Sequence, residues 1–456
     1  MRTIMRAINT EKQKGQVFLI VAISLAVLIA SVGLAVDTGL AYMTKAKLNA
    51  AVDSAVVAAA RAVTQGATQA DQIANGTQAA RDFFNANYPA GFLGTTVNFS
   101  DPTFVFSGGQ VTIDASATAA VPVTFMHVLN FQFLNVAAAA ETIRKDIDLA
   151  FVVDTTGSIT NNPGDPALVR TNAKLFLSKF NALQDRIALL QFAFGTVVRD
   201  PFSPTSARGF NINKMNADIN AFVFGGNTNS SEAVWNARNQ LNNVIDPTKR
   251  SSLRVIVFFS DGAPNSFASN FQMTNGCTTA GTIITGDDTT RDAVTGLNDD
   301  SQINTKLSGA CWQNTNIASN VIFPPFYNAH DALREFPILT TQPRPVTNNM
   351  SNPTIAWQNV NRASRNLVEA MAAKARSEGI YIFTLGLGQL LTTQQGPDRE
   401  YGQDILKCMA NTGDALPRCV AAGAGQPVGI YCHAVDATAL APCFDKLASA
   451  ILRITK

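Results

Sequence analysis

Three short segments of the chain gather oxygen-bearing side chains and contain neither Cys nor His: Asp154-Thr155-Thr156-Gly157-Ser158, Phe224-Gly225-Gly226-Asn227-Thr228-Asn229 and Phe259-Ser260-Asp261-Gly262-Ala263-Pro264-Asn265. Carboxylates and hydroxyls without sulfur or imidazole select a hard cation, Mg2+ or alternatively Ca2+ or Mn2+. The plain alternative is that they are turn and helix-capping residues. Hydrolytic chemistry would make Ser158 or a cation-activated water the nucleophile, and it needs a base close by. His330 and His433 stand in other segments, and Glu232 opens the helix after Thr228, where a carboxylate complements the helix dipole. No catalytic residue is therefore expected, and the chain is read as a non-enzyme.

The elements around these segments alternate. The runs 147–154, 186–193, 253–261 and 379–388 are short and almost wholly apolar, as strands buried on both faces are. Between and after them, 167–183, 231–244, 359–378 and 438–454 read as helices. That order predicts an α/β fold, a mostly parallel Rossmann-like sheet with helices on both faces. Ligands of such sheets collect beyond the carboxyl ends of the strands, where the three segments fall.

The segment 154–158 resembles the D-x-S-x-S metal-ion-dependent adhesion motif (MIDAS) of von Willebrand factor A domains, with Thr156 in the middle hydroxyl position. The segment 224–229 is similar to that family's Gly-rich loop, whose metal-binding Thr maps to Thr228. The segment 259–265 is similar to its strand-terminal Asp-Gly, which gives Asp261. The resemblance covers about 146–262 and 360–456. It implies that Thr156, Ser158 and Thr228 touch the ion directly or through water, that Asp154 and Asp261 anchor the shell, and that an Asp or Glu of a protein partner takes the open position.

Residues 264–358 form an insertion the basic fold does not require, carrying Cys277, Cys311, Asp287-Asp288 and Pro324-Pro325. Starting just after Asp261, it reads either as a lid or collar over the cation edge or as a decorated surface loop. All six cysteines, at 277, 311, 408, 419, 432 and 443, lie in the last 180 residues or so without C-x-x-C spacing, which points to disulfides rather than zinc. Connectivity is not readable from spacing; Cys277 with Cys311, and the other four among themselves, is the pairing expected.

Residues 17–36 run twenty positions without a charge, which at about 1.5 Å per residue spans a bilayer core. Arg2, Arg6, Lys12 and Lys14 precede the run and Asp37 follows it, so the positive-inside bias puts the N-terminus (1–16) in the cytoplasm and everything after Asp37 outside. A cleaved signal peptide would have a shorter apolar run. The segment 42–63 continues as helix, ready to pack on another membrane-proximal helix or on the chain's own next element. The stretch from Gly15-Gln16 through 33–62, with Asp37 and Asp53, resembles TadG-type Tad (tight adherence) pilus-assembly proteins. No Glu stands near the start of the apolar run, where pilin-type subunits carry one, so polymerisation as a pilin is not implied.

Between these parts, 37–145 reads as a membrane-proximal helix and small α+β region, with a helix over 68–87, three strands within 95–143 and a Gly108-Gly109 turn; His127 there reads as structural. The domain assignment is thus 1–16, 17–36, 37–145 and 146–456. A net charge of +2, with no basic run beyond residue 14, excludes the electrostatic footprint of nucleic-acid binding. The expected role is a single-pass inner-membrane protein with a periplasmic or extracellular metal-dependent adhesion module serving pilus assembly or surface attachment. The rival role is a structural envelope component in which the cation only stabilises the fold.

Overall fold

The computed structural model describes residues 16–63, 69–107, 110–161, 165–202, 208–244, 250–251, 253–286, 294–307, 320–330 and 334–454. The basic N-terminus, the Gly108-Gly109 turn, Asp287-Asp288 and Cys311 lie outside the described residues. The chain divides into two compact units, residues 1–105 with 111–143, and residues 106–110 with 144–456.

In the first unit, helix α1 (Gln16–Ala62) is continuous and is long and apolar enough to cross a membrane. From Val17 to Val32 every side chain is exposed. Farther along, Leu48, Ala51, Val52, Ala55, Val56 and Ala59 recur at helical spacing and are buried. That stripe packs on the chain's own next helix, α2 (Gln69–Asn87). Strands β1 (Thr96–Ser107), β2 (Gln110–Pro122) and β3 (Phe133–Lys145) form a sheet in that order. The Phe84 ring of α2 stacks on Phe99 of β1 at 4.3 Å.

The second unit runs β4 (Ile147–Asp154), α3 (Ser158–Asn161), α4 (Pro166–Leu177), β5 (Arg186–Phe192), β6 (Thr196–Asp200), α5 (Ile212–Asn220), α6 (Ser230–Asn242), β7 (Leu253–Ser260), β8 (Ser266–Met273), β9 (Thr278–Ile284), β10 (Thr295–Asn298), β11 (Val321–Ile322), α7 (Pro353–Ser377), β12 (Ile380–Leu387), β13 (Gln394–Gln395), β14 (Glu400–Tyr401), α8 (Gly402–Ala410), α9 (Pro417–Ala422), β15 (Tyr431–Ala434) and α10 (Leu440–Ile454). The main sheet has the order β15-β12-β7-β4-β5-β6, parallel except for β6. Every residue of β4 and β5 is buried, as apolar runs lying between two helix layers must be. Asp148 and the terminal Asp154 are the charged residues of β4, and Asp148 is held by Arg186 at 3.0 Å.

Helices cover both faces. Residues of α4, α5 and α10 share one core with Phe151 and Phe259, and those of α6, α7 and α8 share the other with Val152 and Phe258. Sequence signals set the helix starts: Asp165 before Pro166 and Asn352 before Pro353 each cap the first turn.

The described residues of the segment 264–358, after Asp261, include four strands. Strands β8 to β11 form a second, antiparallel sheet in the order β10-β9-β8-β11. Phe267, Phe271, Ile283, Phe323 and Ile338 join the same core as α6 and α7. Disulfides join Cys408 to Cys419 and Cys432 to Cys443, and Cys277 is also disulfide-bonded.

On the face of α10, Phe444 meets Phe151 edge-on at 5.9 Å and Phe176 at 5.2 Å. Truncation by Phe444→Ala should cost about 3–5 kcal/mol of unfolding free energy, read by denaturant titration of the full chain, because the gap lies among rings that cannot collapse into it.

Candidate metal centre

The chain runs from β4 outward to β5 and β6 and then crosses back to β7 on the other side of β4. Strand order therefore reverses beside the carboxyl ends of β4 and β7, where a crevice is unavoidable. Asp154 ends β4, Ser260 ends β7 and Asp261 follows it.

The three segments are stitched to one another by backbone. Gly225 N–H donates to the Thr155 carbonyl (2.9 Å) and Gly157 N–H to the Gly226 carbonyl (3.1 Å). The third joins through Thr228 N–H to Asn265 Oδ1 (2.8 Å) and Asn265 N–H to the Thr228 carbonyl (3.2 Å). Asn229 Oδ1 then caps α6 by accepting from Glu232 N–H, which fixes where the segment ends.

Within this frame Asp154, Thr156, Ser158 and Asp261 come together, with Thr228 beside them. Ser158 Oγ donates to Asp261 Oδ1 at 2.8 Å, Thr156 Oγ1 lies 2.9 Å from Ser158 Oγ, and Thr156 Oγ1 also reaches Asp261 Oδ1 at 3.3 Å. Asp154 has both oxygens engaged, Oδ1 by Thr156 N–H (2.8 Å) and Oδ2 by the Ser260 hydroxyl (2.6 Å). The Thr228 hydroxyl stands 3.7 Å from where a Cβ on Gly262 would be, so it faces the loop that carries Asp261. Ser260 and Asn265 are the residues a motif reading misses. Both lie in the third segment, yet their roles depend on partners 106 and 37 positions away in the chain.

Asp154 is 0% and Asp261 2% exposed. Burial pushes the Asp154 carboxyl up to about 6, against the hydrogen bonds from Ser260 and Thr156. Burial first, and then the charge of Asp154, push Asp261 well above the ordinary carboxylate range. Two dry carboxylates this close cannot both keep their charge without a cation. Asp261 Oδ2 is also buried with no hydrogen-bond partner. An unpaired carboxyl oxygen beside two hydroxyls, with no sulfur or imidazole in the set, fits a hard divalent ion.

The loop that follows β10 packs beside this frame. Phe194 N–H donates to the Ile303 carbonyl, Gly195 N–H to the Gln302 carbonyl and Thr196 N–H to the Asp300 carbonyl. A Cβ on Gly226 would stand 2.8 Å from the Ile303 carbonyl, so residues 300–304 lie directly on the Gly-rich segment. Glu232 is not a free helix-start carboxylate: it is buried, accepts from Tyr327 Oη at 2.5 Å and pairs with His330. His330 lies in the insertion along the chain, and the fold brings it onto Glu232 in the first turn of α6. His433 is engaged by the Gly388 carbonyl.

Residues 148–284 match the von Willebrand factor type A domain family, and residues 15–62 match the Flp pilus-assembly TadE/G-like (Tad) family. The fold of the second unit is thus of von Willebrand factor A type. The match stops well before the C-terminus, so the C-terminal placement expected of this domain is not exact. No curated protein matches the chain. Similar solved structures include the PilB minor pilin of Streptococcus sanguinis (15% identity, 79% of this chain and 79% of that one, TM-score 0.38). Others are the pilus adhesin SpaC of Lactobacillus rhamnosus GG (14%, 79% and 35%, 0.39) and the vWF domain of the type V pili tip protein Mfa5 of Porphyromonas gingivalis (14%, 69% and 98%, 0.37).

Two outcomes test the electrostatics. An acid whose folded-state pKa is raised favours folding below its unfolded value and loses that contribution as pH rises through the folded value. In chelator, Asp154 and Asp261 should therefore weaken the fold as pH climbs from about 4 through about 6 and beyond. The gain in Tm on adding saturating Mg2+ should then be larger at about pH 7.5 than at about pH 5. Asp261→Asn should raise the chelator-state stability by on the order of 1–2 kcal/mol while abolishing the Mg2+ gain, read by calorimetry. Separately, Gly226→Ala should cost about 1–3 kcal/mol, since φ is +84° there and the Ile303 carbonyl blocks the methyl group.

Proposed function

We propose that this chain is a membrane-tethered module that binds a protein partner through a divalent cation, in the service of pilus assembly or surface attachment. The pairing of a Tad-type N-terminal segment with a von Willebrand factor A-type domain supports a pilus-associated or adhesive role, and α1 fits a single-pass membrane protein. The observation that carries the cation is the convergence of Thr156, Ser158 and Asp261, with Asp261 Oδ2 buried and unpaired.

Thr156, Ser158, Thr228 and Asp261 would hold the ion, with Asp154 orienting Thr156 and Ser260 from behind. The ion is Mg2+ in this reading, with Ca2+ or Mn2+ chemically equivalent for the donor set. A bound ion would supply a coordination position for an Asp or Glu of the partner. Residues 300–304 would form the collar around that position and contribute to which partner fits. The N-terminus is cytoplasmic and the bulk of the chain lies beyond the inner membrane, where disulfides such as Cys408–Cys419 and Cys432–Cys443 would persist. The module is read as non-enzymatic: His330 and His433 are engaged by Glu232 and Gly388, so neither is offered to Ser158 as a base.

One observation favours the rival, structural role. Asp154, Thr156, Thr228 and Asp261 are each no more than 3% exposed, so a cation there stabilises the fold whatever else it does. The readings separate in Thr228→Ala, which keeps both carboxylates. Affinity for the envelope partner identified with the wild-type chain should fall at least about tenfold, toward the level chelator gives, whatever part of the Mg2+ gain in Tm is lost with it. Unchanged affinity together with a lower Tm would establish the structural role instead.

A further inference from the structure

We infer that the connection between β2 and β3, residues 123–132, together with the start of β3, is a second membrane contact that lies in the lipid interface beside α1. This rests on the reading of the first half of α1 as a bilayer span.

Two contacts fix the height of this connection. Asp37, the first charged residue after the apolar run, is buried and accepts backbone N–H bonds from Thr124 (3.0 Å), Phe125 (2.9 Å) and Met126 (2.7 Å). One turn earlier, Gly33 lies under Phe125: a Cβ on Gly33 would overlap the Phe125 side chain, standing 2.6 Å from its Cγ. Gly33 lies inside the uncharged run that ends at Val36, so at about 1.5 Å per residue Phe125 meets the helix about 5 Å below the end of its apolar stretch. The connection is therefore held at the depth of the hydrocarbon boundary.

It displays large apolar side chains between the exposed polar ones of Thr124, His127, Asn130 and Gln132, the mixture an interfacial segment carries. Val128 is 90% exposed, Phe133 53%, Phe131 49% and Phe125 42%. The segment is shaped rather than extended: a short 3-10 turn, Met126–Leu129, starts on the Asp37 carboxylate and is closed by Asn130 in the left-handed region (φ +69°). In water four large apolar side chains on one short, tightly turned segment would be costly, whereas interfacial elements bury such side chains some 5–10 Å (roughly) into the headgroup and acyl boundary. The contiguity with the exposed apolar surface of α1 at Gly33 makes lipid the occupant of both. Asp37 thus has a role in the first unit beyond marking the end of the span: it ties the sheet to the membrane surface.

The test uses the full chain in unilamellar vesicles of phosphatidylethanolamine and phosphatidylglycerol, with Val128→Cys carrying an environment-sensitive fluorophore. Val105→Cys is the comparison, a residue also exposed but on the order of 30 Å away along the β1–β2 hairpin. The label at 128 should emit to the blue of the label at 105 and be quenched several-fold more by lipids carrying a nitroxide high on the acyl chain. Gly33→Val should displace Phe125 and abolish that difference while the chain still floats with vesicles after carbonate washing. If the chain floats but the label at 128 behaves as in water, or is shielded by a second protein copy instead of lipid, the inference is overturned while the anchor stands. If carbonate releases the chain, the anchor fails and the inference with it.

Discussion

Everything at the cation edge follows from placing two carboxylates, Asp154 and Asp261, in the driest part of the second unit. Neither can be solvated there, and each raises the cost of charging the other. The protein answers with hydroxyls: Ser260 and the Thr156 amide occupy Asp154, and Ser158 and Thr156 occupy one oxygen of Asp261. One oxygen is left over, and the proposed divalent cation would satisfy it. The reversal of strand order beside β4 makes this possible in packing terms, because it opens a crevice at the one place where strand ends can bring residues a hundred positions apart together.

The inserted sheet belongs to the same design. It fills the core against α6 and α7, closes over the Gly-rich segment with residues 300–304, and sends Tyr327 and His330 to the buried Glu232 at the start of α6. The element that carries Thr228 into position is thereby held from both sides, by Asn229 and Asn265 within the loops and by the insertion at Glu232. A segment that looks dispensable by fold alone is bound into the placement of a candidate ligand.

Much of this was legible in the residues. Runs such as 147–154 and 253–261 announce doubly buried strands because nearly every side chain is apolar, and the order of strand and helix then leaves little choice of sheet. Asp154, Thr156, Ser158, Thr228 and Asp261 could be singled out because the three segments that carry them resemble the D-x-S-x-S motif, Gly-rich loop and Asp-Gly of von Willebrand factor A domains. The antiparallel sheet of the insertion was not legible: β8, SFASNFQM, and β9, TTAGTII, are rich in Ser, Asn and Thr, and Ser266 and Ser269 of β8 and Thr282 of β9 are buried by long-range pairing that local pattern does not encode. The antiparallel β6 and helix α5 were missed for their shortness. Asp37 was visible as a motif residue, yet its purpose was hidden, since its three hydrogen bonds come from residues almost ninety positions away.

The central claim is that these side chains hold one hard divalent ion. Electron paramagnetic resonance of Mn2+ added to the purified full chain measures this directly, since bound and free Mn2+ give distinct signals. The account predicts one bound Mn2+ per chain, displaced by excess Mg2+ and absent from a chain in which both Asp154 and Asp261 are replaced by Asn. No bound Mn2+ in the native chain, or equal binding by that doubly substituted chain, would contradict it.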